Sequence, residues 1–436
     1  LTSAGTNGSV VNLGSNHGLG TDVLVPWITD GTMARFGMVD ASNNLAWVTP
    51  TDVTGNVSSI TDINTNYRIV GNATSFGANT NFASGAAANT LSLYRSNSSS
   101  PVTVRITDTL TVGAGGIAAA NGTANLDVTI EGTNGTSLTT TSNVLYIATG
   151  VGNAGQQGTL NINAPITGNI DVVKGGYGNV KFGGTNQANT YTGTTYVNSG
   201  SLVIGKSSGV NAINGNVVVR SGGILDLDSA NQIVDTATVT IENGSYFKTD
   251  ASSETIANLA GGGMLVSAVT TTTNSFTVNS SVAPGDGGIG TMTLNLGTTG
   301  GTNSFFRMNT NAAFTMELTA ASGLTGDRVD FFNYNAGEFL LVGSNNINLT
   351  LLGTKTPGTY TNTIFRFYSD NGTTLTNSAI SSGLTIGTWS GSDFASIPTI
   401  AYNGTTIDLA YQVVPEPSTI ALIGLTGIAA IGYRIR

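Results

Sequence analysis

The chain has 436 residues, a formal net charge of −9 and a pI near 4.5, with only 9% charged residues against roughly a quarter in typical domains. Its 15 Lys and Arg are dispersed, which excludes a nucleic-acid binder built on clustered basic residues, and the absence of cysteine excludes disulfide staples, zinc–thiolate sites and thiol nucleophiles. What remains, 59 glycines among abundant Thr, Asn and Ser, predicts a polar but uncharged surface of the kind that suits an extracellular β-structure.

Residues 1–60 read as an N-terminal cap. They hold Trp27 in LVPWITDGT and Trp47 in NNLAWVTP, and a bulky aromatic plug covers the apolar face that an end coil exposes. A ligand-stacking aromatic site is the other reading of that pair. His17, the one histidine, sits in a Gly/Asn-rich stretch without a nucleophile motif and reads as a surface or turn residue. Leu1 in place of Met reads as an export signal removed or never included.

From 61 to 296 short β-rich runs recur: YRIV (67–70), TLSLY (90–94), VTVRIT (102–107), TLTVG (109–113), LDVTI (126–130), VLYIAT (144–149) and TLNIN (159–163). Most alternate apolar and polar residues with period two, and turn signals such as Asn121-Gly122 and Asn134-Gly135 separate them. No run carries a 3.6-residue apolar stripe. The best-defined unit is 171–205, with strands expected at Asp171–Lys174, Asn179–Phe182, Thr194–Val197 and Ser201–Ile204. Strands this short bury too little to stand alone and need coils stacked above and below. Further on, Val217 with Val219, Ile224 or Leu225 with Leu227, and Val239 with Ile241 are the expected inward residues. The fold predicted is all-β, a right-handed parallel β-helix.

The string KGGYGNVKF followed by NTYTGTTYVNSGSLVIG closely resembles the autotransporter-associated β-strand repeat, with Val180 and Phe182 in the paired apolar positions and a longer loop through Gln187 and Ala188. The segment 280–296 resembles the element that closes such repeats. Residues 297–412 are richer in aromatics (FFRM, FFNYN, IFRFY) and read either as the last coils or as a small β-cap.

The tail 413–436 differs from everything before it. Pro415-Glu416-Pro417 precedes an uncharged run from Ser418 to Tyr433, read as one short hydrophobic helix, and then Arg434 and Arg436. This resembles the PEP-CTERM sorting signal. The resemblance implies export by a Gram-negative bacterium, recognition by an exosortase and transient inner-membrane insertion through the tail, with Pro415, Glu416, Pro417, Arg434 and Arg436 as its residues. A packing or assembly helix is the alternative.

No catalytic, cofactor-binding or metal-ligating residue is assigned. Asp226 and Asp228 share one face of a strand as calcium ligands or glycosidase carboxylates can, but read as an acidic pair on a solvated face. Asp327 and Asp330 around Arg328 read as a turn with a surface ion pair. Asn-x-Ser/Thr triplets at Asn72, Asn121, Asn134, Asn243, Asn371 and Asn403 are weak glycosylation signals in a chain of this composition. The function expected is a non-enzymatic structural protein of the cell surface or extracellular matrix, forming a homo-oligomer or polymer. The alternative is a β-helix protein that binds exopolysaccharide through Tyr177, Tyr191 and Tyr196, or one that cleaves polysaccharide, for which the dispersed basic residues offer no clustered site.

Overall fold

The computed structural model describes residues 11–12, 23–29, 35–40, 44–54, 56–72, 80–97, 102–121, 127–150, 158–184, 187–249, 252–267, 274–285, 287–295, 304–332, 339–368, 383–390 and 392–414. The chain forms two compact units. One comprises Leu1–Val239 with Gly244–Glu254, the other Thr240–Asn243 with Thr255–Arg436.

Unit 1 is built from two parallel ladders. One runs through Thr51–Val53, Thr61–Asn72, Ala87–Asn97, Thr109–Asn121, Val144–Thr149, Asp171–Gly175, Thr195–Val197 and Val217–Val219. The other runs through Thr80–Asn81, Val102–Ile106, Val128–Gly132, Thr159–Ile162, Asn179–Phe182, Gly200–Ile204, Gly223–Leu227 and Tyr246–Lys248. From Thr61–Asn72 on, the chain alternates between the ladders, so each pair of strands is one coil of a parallel β-helix, with no closed barrel.

The period-two alternation decides what lies inside. Val104, Ile130, Ile162, Phe182, Ile204 and Leu227 stack in register as one buried row, and Val102, Val128, Leu160, Val180, Leu202, Leu225 and Phe247 as the next. Each such side chain stabilises the fold by about 1.5–3 kcal/mol through burial. The expected inward pairs, Val217 with Val219 and Leu225 with Leu227, are all buried, as are Val239 and Ile241. A four-stranded antiparallel sheet in the order Val11–Asn12, Asn44–Trp47, Phe36–Val39, Val23–Thr29 precedes the coils, and its last-named strand lies against Thr109–Asn121 and Val144–Thr149. Trp47 is half-buried opposite Gly37.

Unit 2 continues the same grammar with larger side chains. Met264–Val266, Thr291–Asn295, Arg328–Phe332 and Gly358–Phe367 form one parallel ladder, and Asn274–Pro284, Ala313–Thr319, Asn345–Leu352 and Leu384–Ile386 run through the other. Phenylalanine replaces the aliphatic rows: Leu265, Leu294, Phe331 and Phe367 stack in register, and the Phe331 and Phe367 rings lie 4.7 Å apart and nearly parallel. The first ladder then changes direction. Thr406–Val413 pairs antiparallel with Gly358–Phe367 on one side and with Thr399–Asn403 on the other, giving a β-rich end to the coils.

Candidate functional site

Several ionisable groups lie inside the coils rather than on them. Lys174 occupies an inward position between Ile147 and Val197 and is fully buried. Its Nζ donates to the carbonyl oxygens of Gly176 (2.7 Å), Gly178 (2.6 Å) and Ser199 (2.6 Å), so each ammonium hydrogen has a partner. Burial pulls its pKa down to about 7. Lys206 is likewise buried, donates to the Gly183 carbonyl at 2.9 Å, and burial lowers its pKa to about 8. Beside it a ladder of amide and carboxylate side chains knits successive corners. Asn189 accepts from Ile166 N–H and donates to Ala212 O, Gln232 accepts from Lys206 N–H, and Glu254 accepts from Gln232 N–H. These are structural cross-ties. Nothing in the sequence marked the lysines as inward except the period itself, which puts Val172 and Lys174 on one side of their strand.

The acidic pairs separate in the structure. Asp226 and Asp228 do sit on an outer face, and Asp228 is exposed and ion-paired with Lys181. Asp327 and Asp330 are both buried, which corrects their reading as surface residues. Asp330 pairs with Arg328 at 2.6 Å, while the Asp327 carboxylate accepts the N–H groups of Gly290 and Glu317, both at 2.8 Å. Burial, reinforced by the Glu317 charge and opposed by those two N–H donors, raises Asp327 to about 7. Among the described residues no group of three or more His, Asp or Glu side chains is placed to hold a metal ion. A niche of about 510 Å³ in unit 2 is walled by Glu242, Asn243, Ile289, Thr291 and five glycines, and Glu242 is the one titratable wall residue among the described residues.

The tyrosines divide as well. Tyr177 is 63% exposed, and Tyr196 is half-buried with the Arg220 guanidinium 5.2 Å from its ring centre. Tyr191 is fully buried, its hydroxyl 2.6 Å from Thr195 Oγ1, and is not available to a ligand. His17 lies outside the described residues.

The best-built feature is the end of unit 2 from which the tail departs. Val413 is buried, opposite Gly358 in the sheet and bridged to Phe394, and the Val414 N–H donates to Asp393 O at 3.1 Å. The Tyr411 hydroxyl holds the Thr319 carbonyl and accepts from Asn362 Nδ2, locking the same strand from beneath. Residues 413–436 match the family model of the PEP-CTERM protein-sorting motif. That motif marks an exported protein, sorted by an exosortase at the envelope or surface of a Gram-negative bacterium. Its first two residues therefore belong to the folded sheet, while Pro415, Glu416, Pro417, Arg434 and Arg436, together with the expected hydrophobic helix, lie outside the described residues. The resemblance of 171–205 to the autotransporter-associated repeat has no family match behind it, and the chain has no match among curated proteins.

Proposed function

We propose that this is a non-enzymatic structural protein of the cell surface or extracellular matrix, delivered by its sorting motif and assembling with copies of itself. The observation that carries the reading is the build of the coils: the described inward rows are filled by packed side chains, and the buried Lys174, Lys206, Glu254 and Asp327 bind backbone groups of neighbouring coils while Asp330 pairs with Arg328. The edge strand of this sheet, Thr399–Asn403, adds a means of association. It pairs with Thr406–Val413 on one flank, is the terminal strand of its sheet among the described residues and is largely solvent-facing, which makes it an edge suited to strand addition.

Electron microscopy of native material from the cell exterior, with intact-mass analysis of the same sample, tests this. Ordered polymers support it. Monomers scattered along glycan would instead favour the second reading, exopolysaccharide binding, which the exposed Tyr177 and the Tyr196–Arg220 pair support.

A further inference from the structure

The sorting motif leaves unit 2 with almost no spacer. Val414, the last described residue, is hydrogen-bonded to Asp393, and in sequence only Pro415, Glu416 and Pro417 separate it from the uncharged run that opens at Ser418. The four Cα-to-Cα steps from Val414 to Ser418 reach at most about 14 Å fully extended. The headgroup layer on each side of a hydrocarbon core is itself about 5–8 Å deep. Whenever the run is in a bilayer, covalent geometry holds this end of unit 2 at the headgroups.

The chemistry of that end suits the position. Segments 353–360, 389–399 and 409–414 surround the exit and carry only two charged residues, Lys355 and Asp393, which are ion-paired with each other. No carboxylate on them is left unpaired to be desolvated against lipid. Ile397 is 62% exposed, on the turn whose Ala395 N–H donates to Gln412 O. Trp389 is half-buried, with its ring edge-on to Phe394 at 6.3 Å, and Phe394 bridges Val413. Tryptophan and exposed aliphatic side chains are the residue types that partition into a membrane interface.

We propose that this end of unit 2 is a membrane-seating face, with Ile397 and Trp389 entering the lipid headgroup region while the tail is inserted. The inference rests on the reading that the tail enters the inner membrane. It adds that the folded body does not hang free of the bilayer but is registered on it, presenting the Pro-Glu-Pro segment at the membrane surface.

The test uses the full chain carrying fluorotryptophan, which resolves its three tryptophans by fluorine NMR without replacing any of them by another residue type, in vesicles of mixed phosphatidylethanolamine and phosphatidylglycerol. A fluorophore on the last residue reports tail insertion separately. A headgroup-region spin-labelled lipid is expected to broaden the Trp389 resonance about twofold or more, and Ile397→Asp to remove at least about half of that broadening while tail insertion is unchanged. Ile397 is exposed, so the variant should melt as the parent does, and Ile397→Ser provides the same comparison if it does not. An inserted tail with an unbroadened Trp389 overturns the seating face and leaves the tail reading standing. A tail that does not insert overturns both. Broadening that appears only after the processing enzyme is added overturns the lipid assignment in favour of a protein partner.

Discussion

A single buried ammonium shows how the residue scale sets pH behaviour. Lys174 titrates near 7 in the fold and near 10.5 when unfolded. Between those values the unfolded state binds more protons, so stability rises with pH across that window. Lys174→Met removes the titration and leaves the carbonyls of Gly176, Gly178 and Ser199 without their donor. Its melts should show a deficit of about 2 kcal/mol at slightly alkaline pH that widens towards about pH 10. A deficit that shrinks over that range would mean the ammonium is not the titrating group. Asp327 works in the opposite sense. Its folded pKa, about 7, lies above the 3.8 of the free group, so its contribution is fully present below about pH 4 and is lost as the pH rises through 7. Asp327→Asn should flatten that part of the pH–stability curve relative to the parent, and should cost about 1–3 kcal/mol at low pH because an amide NH2 would meet the N–H of Gly290 or of Glu317.

At the scale of the element, the corners decide which glycines are indispensable. Gly176 has φ +73°, and a Cβ there would fall 2.2 Å from the Thr149 carbonyl oxygen of the preceding coil, whereas Gly135, at φ +86°, has open space around it. Alanine at 135 should cost about 1–2 kcal/mol for the left-handed backbone alone. Alanine at 176 adds a backbone clash and should cost more than about 3 kcal/mol in urea melts. Equal losses would show that coil spacing does not depend on the corner. The same contrast explains what was legible beforehand. Strands were readable within 171–205 to one residue, because Val, Phe, Leu and Ile at alternate positions have one buried solution and the Gly/Asn corners punctuate it. Tyr191 was not, because a corner has no period to say which way its ring turns, and the pocket that takes it is closed by Thr195 four residues on. Asp327 was hidden likewise: its surroundings come from Gly290 and Glu317, which are remote or non-alternating in sequence. The exit face could be suspected only from the tail, since Ile397, Trp389 and the Lys355–Asp393 pair are gathered by the antiparallel return of one strand.

For the whole molecule, the question is whether the sorting motif is an appendage or a structural member, and the boundary at Val414 makes that testable. Thr406–Val413 is a central strand that buries Ile407, Leu409, Tyr411 and Val413. At about 1.5–3 kcal/mol each, those four side chains contribute about 6–12 kcal/mol, which is comparable to the entire stability of a domain. A chain ending at Asn403 should therefore lose the cooperative transition of unit 2. A chain ending at Val414 keeps every one of those burials and should melt within about 0.5 kcal/mol of the full chain, as exposed changes do. Calorimetry of the two truncations beside the parent decides the matter. If the Val414-terminated chain is as damaged as the shorter one, the apolar run packs on folded surface and serves assembly. If it is unharmed, the motif is energetically separate from the coils it delivers, and an exosortase cutting after the sheet would release a fold already complete.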